Sequence, residues 1–110
     1  MSKFDQAIAA YTKHLEEMGE EVDAKLLHRV VRSIGPAIYN RDAQTVAFTQ
    51  PAEVDRVRRN FLVKRLGLED SDALNDMIQS IGDTYKATPR YRGVIYYLLV
   101  KKANKAALFL

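Results

Sequence analysis

Apolar positions recur at spacings of three and four along most of the chain, the period of one buried face of an α-helix. Phe4, Ile8, Tyr11, Leu15 and Met18 form a first stripe. Ser2 stands where it can cap that helix, Asp5 falls in its first turn, and Gly19 is the natural stop. A second stripe is Leu26, Leu27, Val30, Val31 and Ile34, with Asp23 as N-cap and Gly35-Pro36 as the end. Val22 and Leu27 occupy the two positions of a hydrophobic staple. Gln50-Pro51 opens a third helix that runs to Leu66 and stops at Gly67. Val54, Val57 and Phe61 lie on one side of it, and Leu62, Val63 and Leu66 on another. Arg58 and Arg65, seven apart, project between the two groups, a seam where they need carboxylate or phosphate partners. Asp70 or Ser71 caps a fourth helix whose stripe is Leu74, Met77, Ile78, Ile81 and Tyr85.

The fifth segment breaks this rule. Val94 to Val100 is the longest apolar run in the chain, and its β-branched and aromatic residues also suit a strand. Helix is the better expectation. Thr88 is placed to cap it, Pro89 takes the first helical position, and Lys101, Lys102 and Lys105 lie near the negative end of its dipole. Nothing else in the chain reads as a strand to pair with it. Tyr91, Val94, Ile95, Leu98 and Leu99 make one broad face, while Tyr96, Tyr97 and Val100 cover much of the other. A helix apolar nearly all round belongs in the middle of a fold. Gly93 lies on the second side, where it allows another helix to approach closely. The link Ala87-Thr88 makes helices four and five antiparallel neighbours or a steep crossing. The expected fold is therefore all-α: one domain over residues 1–110, with about five helices packed around the apolar C-terminal helix at residues 89–103.

Two stretches escape the pattern. Gly35 to Gln50 is irregular, yet Ile38, Tyr39, Val46 and Phe48 require it to pack on the body. Asn40-Arg41-Asp42 reads as a turn, with Asp42 capping a single helical turn through Thr45. Connections this long are often functional. The tail finishes on Leu108, Phe109 and Leu110, which need cover. Either the fifth helix continues, or Asn104 ends it in a left-handed cap and the last residues fold back. The cover is the first helix or, in a homodimer, a second copy.

Composition narrows the chemistry. There are no cysteines, which removes zinc ribbons and thiol catalysis. No signal-peptide region opens the chain, and an apolar run of this length cannot span a bilayer, which takes about 20 residues. A cytoplasmic protein with no membrane contact is the expectation. The net charge of +3 is unevenly spread, and no acidic residue follows Asp83. Arg56, Arg58, Arg59, Lys64, Arg65, Arg90 and Arg92, with Lys101, Lys102 and Lys105, are the one functional signal of any size, a candidate surface for an anion or a partner. His14 and His28 fall on different helices with no third ligand, and the acidic turn around Glu16, Glu17, Glu20, Glu21 and Asp23 lacks a calcium-loop pattern. No phosphate-binding glycine loop and no nucleophile motif is present, so no catalytic residue, cofactor or metal site is expected.

Three stretches in this order, Ile34-Gly35-Pro36-Ala37-Ile38-Tyr39-Asn40, Asn60-Phe61-Leu62-Val63-Lys64-Arg65-Leu66-Gly67-Leu68 and Tyr91 to Lys102, resemble a family of small bacterial proteins catalogued as domain of unknown function 2853. The resemblance covers nearly the whole chain and implies a bacterial, helical, cytoplasmic protein. It brings no activity, cofactor or catalytic residue. The functional expectation is a small non-enzymatic interaction domain with a protein partner or a homodimer. A nucleic-acid-binding protein using helix three and the basic C-terminal third is the alternative, and an enzyme built on the Gly35–Gln50 loop is the third class.

Overall fold

The computed structural model describes residues 2–110. Helix α1 spans Lys3–Glu17, α2 Ala24–Ile34, α3 Pro51–Val57, α4 Asp72–Thr84 and α5 Arg92–Lys102. Short 3-10 turns follow α2 (Gly35–Tyr39) and close the chain (Ala106–Phe109). No strand occurs among the described residues; Thr45 and Tyr91 make an isolated antiparallel bridge. Among the described residues no helix is long and apolar enough to cross a membrane.

The caps of the first two helices are where the sequence places them. Asp5 N–H donates to Ser2 Oγ at 3.0 Å and Leu26 N–H to Asp23 Oδ1 at 3.1 Å, each satisfying an amide that the first turn leaves without a partner. Every residue of α5 from Gly93 to Val100 is buried, with α2, α4 and α1 packed around it. Gly93 lies directly under Tyr11 of α1. A Cβ there would collide with the tyrosine ring, with Cδ2 at 2.9 Å and Cζ at 3.0 Å. Gly82 of α4 plays the same part for the irregular segment, because a Cβ would come within 2.9 Å of the Phe48 ring.

The structure corrects the start of the last helix. It begins at Arg92, not Pro89, and Thr88 does not cap it; Tyr91 holds the N-cap position without a side-chain bond. The reason is backbone competition. Val46 N–H donates to Arg90 O and Arg92 N–H to Gln44 O, at 3.1 and 2.7 Å. Residues 90–92 are thus committed to an extended pairing with 44–46. The whole stretch from Tyr85 to Tyr91 therefore joins α4 to α5, rather than the two residues Ala87-Thr88. The Tyr85 hydroxyl braces it by donating to Pro89 O and accepting from Tyr91 N–H, each at 3.1 Å.

Smaller corrections have equally local causes. Asn40, not Asp42, organises the turn after α2, because its Oδ1 accepts from Asp42 N–H at 2.9 Å and its carbonyl from Gln44 N–H at 2.8 Å. Ile38, Val46 and Phe48 are buried, but Tyr39 is 44% exposed. Ser71 stands at the N-cap of α4 without a capping bond, and Asp70 pairs with Arg58 instead. Asn104 ends α5 with a φ of 57° and the tail turns back. Phe109 is buried, on α2 rather than on α1, while Leu108 and Leu110 stay uncovered at 56% and 91% exposed.

Two substitutions check this packing by denaturant unfolding. Gly93→Leu improves helix propensity yet overpacks against Tyr11, so a loss of about 1–3 kcal/mol is expected. Phe109→Ala is expected to cost about 3 kcal/mol, whereas Leu110→Ser stays within about 0.5 kcal/mol. Equal effects at the two tail positions would mean that the terminal turn is not docked.

Candidate functional site

Pro51 opens α3 at a position where its missing N–H costs nothing, and the α-helical part ends at Val57. From Arg58 to Val63 the helix continues as a π-helical turn. Lys64 N–H reaches Arg59 O at 3.2 Å and Leu66 N–H reaches Phe61 O at 3.0 Å, both five residues back. π turns are rare, cost hydrogen-bond quality and occur often at functional sites. Here the turn has a clear geometric effect. Asn60 and Arg65 are five apart, about 140° around an ordinary α-helix, but the extra residue that a π turn holds takes back about 100° of that and brings them closer to one side. Both line the same cleft.

The cleft has a volume of about 270 Å³, just below the usual range of small-molecule pockets, about 300–1,000 Å³. Ser33 and Ile34 from the end of α2, Ala37 from the following turn, Ala43 from the long segment, and Arg92 and Tyr96 from α5 complete its wall with Phe61. The Phe61 and Tyr96 rings stack at 3.9 Å between centroids, 20° from parallel. The Ser33 hydroxyl is spent on Val30 O at 2.6 Å. No aspartate, glutamate, histidine or lysine lines the cleft.

Arg92 forms its rear wall. Its Nε donates to Ala43 O at 2.6 Å and Nη1 to the Tyr96 hydroxyl at 2.9 Å, while Nη2 donates to Glu53 Oε1 at 2.7 Å and to Thr45 O at 3.3 Å. Four donor directions are thus used on three elements. Burial opposes the Arg92 charge, but the Tyr96 phenol and the Glu53 carboxylate outweigh it and hold its pKa above the ordinary value. Burial likewise works against the Glu53 charge, and hydrogen bonds from Arg92 and Arg56 more than offset it, leaving that carboxyl below its usual range. Arg92 and Glu53 expose 15% and 16% of their side chains, so the pair is largely withdrawn from water.

Of the other sequence-predicted residues, Arg65 lines the same cleft as Arg92 and the rest do not. Arg56 is exposed and pairs with Glu53 at 2.7 Å. Arg58 Nη1 donates to Asp55 Oδ1 of α3 at 3.2 Å and, across to α4, to Asn75 Oδ1 at 3.3 Å. Its Nε lies 3.1 Å from Asp70 Oδ1, but the N–H is not aimed at that oxygen and is left without a hydrogen bond. Arg59 reaches only Asp55 O, at 3.4 Å. Lys64 is exposed, and the Arg90 guanidinium lies 5.2 Å from the centroid of the Phe48 ring. Arg65 is exposed and sits 5.8 Å from the centroid of Phe109, with no carboxylate partner among the described residues. The π turn explains the divergence of Arg58 and Arg65: an extra residue in one turn displaces everything after it by about 100°, so the seven-residue spacing no longer means one face. Pattern reading had no means of finding Asn60, a polar residue in a helix with no visible interruption.

The histidines serve packing. His14 Nδ1 is 2.6 Å from the Tyr85 hydroxyl, and His28 meets Phe4 edge-on at 5.3 Å. Burial pushes the phenols of Tyr11 and Tyr85 up to about 12. Among the described residues no group of three His, Cys, Asp or Glu side chains is placed to hold a metal ion.

An all-helical globule with a partly apolar cleft between α2, the π turn and α5 is the class of protein that this geometry defines. The family model for DUF2853, described as a protein of unknown function, matches residues 10–107, and the chain belongs to that family. No curated protein matches it.

The buried pair can be tested directly. Arg92→Gln leaves Glu53 and two loop carbonyls without their donor, and a loss of about 3 kcal/mol is expected, the low end for breaking a buried pair. Arg56→Gln, at the exposed end of the same carboxylate, is expected to cost about 0–1 kcal/mol. Because the folded-state pKa of Glu53 is depressed, its contribution is complete above the ordinary carboxylate pKa and is lost as the pH falls through the lowered value. The stability gap between the parent and Glu53→Gln should therefore shrink on acidification. A gap that widens would reverse the assignment.

Proposed function

We propose that this protein is a non-enzymatic binding domain whose site is the cleft between α2, the π turn and α5. The observation that carries this reading is the π turn itself, which gives up regular helix hydrogen bonding and lies where Asn60, Phe61 and Arg65 line one cleft. A binding role fits better than a catalytic one because the cleft wall offers no general base. Ser33 is bonded to a backbone carbonyl, and Arg92 is engaged on four oxygens. The long segment before α3, a candidate for an enzyme's loop, spends Ala43 O, Gln44 O and Thr45 O on holding Arg92. Nucleic acid is the weaker partner. Arg56, Arg58 and Arg92 are each matched to a carboxylate, which leaves fewer cations for a phosphate backbone.

The test is a two-dimensional amide NMR spectrum recorded against a panel of small aromatic and aliphatic acids, amides and alcohols. Shifts confined to Ala37, Ala43, Asn60, Phe61 and Arg65 are expected for at least one member. Ala37→Trp, which fills the cleft, should abolish them. If no member of the panel moves these resonances at millimolar concentration, the cleft is not a binding site.

A further inference from the structure

The cleft wall is chemically one-sided, and that names a ligand class. Arginine is the only ionisable side chain on it apart from the Tyr96 phenol, and no carboxylate stands there to balance a cation. The two arginines differ in what they have left. Arg92 is neutralised by Glu53, and its N–H groups point at oxygens already in place. The Arg65 side chain makes no hydrogen bond or ion pair with the described residues; only its backbone N–H is engaged, on Phe61 O at 3.1 Å. Its guanidinium is held beside Phe109 by the docked tail, a placement that orients the planar fork without using its donors. Asn60 adds an amide on the same side of the widened turn. Behind these two, the wall is Ile34, Phe61 and Tyr96, apolar and flat.

We propose that the cleft takes a small organic anion, a carboxylate or phosphate carried on a flat apolar body, with the charged head on Arg65 and Asn60 and the body against Ile34, Phe61 and Tyr96. This rests on the binding reading above and adds the charge of the ligand. Carboxylate and phosphate present the same acceptor geometry to a guanidinium. A cation is disfavoured by Arg65, the one arginine of the wall without a carboxylate partner among the described residues. A neutral ligand of the same shape leaves the Arg65 fork without the acceptor that its charge favours.

The experiment titrates the parent protein with benzoate, phenyl phosphate and benzamide, three probes with the same ring and different heads. Either anion is expected to bind about tenfold or more tightly than benzamide, the worth of one charge-assisted bidentate contact. The tighter of the two identifies the head group. In Arg65→Gln, an exposed position whose folding is checked by thermal unfolding, the preference for the anion should vanish, the ratio of anion to benzamide affinity falling to about one. Arg65→Lys should restore part of it. Benzamide binding as tightly as both anions overturns the proposal and leaves the binding domain standing. An anion preference that persists in Arg65→Gln also overturns it, because the head group must then lie elsewhere. Silence of all three probes while an aliphatic member of the wider panel binds overturns the flat-body assignment. Silence of the entire panel removes the binding reading and this inference with it.

Discussion

The architecture follows from one requirement, that α5 be covered on every side. Eight consecutive residues, Gly93 to Val100, are buried, so no face of that helix is left for water and each neighbour must supply an apolar stripe. α1 comes close enough only because Gly93 has no Cβ under Tyr11. The polar groups that α5 carries inside must be answered locally, since an unpaired buried donor or acceptor costs about 1–3 kcal/mol. The Tyr97 hydroxyl accepts from the backbone N–H of Asp23, the residue that caps α2, at 2.9 Å. The Tyr96 hydroxyl accepts from Arg92. Covering α5 thereby also fixes where α2 begins and where the 43–45 segment lies.

Much of this was legible before the fold was known. Helices α1 and α2 could be bounded almost to the residue because Ser2, Asp23 and Gly19 act within one turn of sequence. The central place of α5 followed from its lack of a polar face. What failed were features settled by distant partners. Thr88 and Pro89 make a valid local start signal, but the amides and carbonyls of residues 90–92 pair with residues 44–46, and tertiary pairing overrode the local preference. The tail was divided between two outcomes; Asn104 chose the fold-back, and the second helix rather than the first supplied the cover.

The cleft was less legible than the fold, for a reason specific to helix three. A heptad argument assumes that the helix keeps its period. The π turn between Arg58 and Val63 breaks it, and no proline or glycine lies inside that turn to mark the break. Arg58 and Arg65 were paired by spacing and are separated by structure, one against Asp55 and Asp70, the other beside Phe109. Arg92 was read as one more basic residue, although its surroundings make it a structural cation. Charge counts along a sequence cannot distinguish these cases, because what matters is how many donors remain unsatisfied after folding.

That distinction also bears on how well the cleft is prepared. Binding costs free energy whenever a ligand must order the groups that hold it. The rear wall is already ordered: Arg92 fastens Ala43, Thr45, Glu53 and Tyr96 in one hydrogen-bonded knot, and Tyr96 is stacked on Phe61. The π turn fixes the backbone of Asn60. The exposed Asn60 and Arg65 side chains would remain to be immobilised. On the proposed reading Arg92, with four hydrogen bonds to the protein's own oxygens, serves Arg65 by holding the wall against which that guanidinium would work.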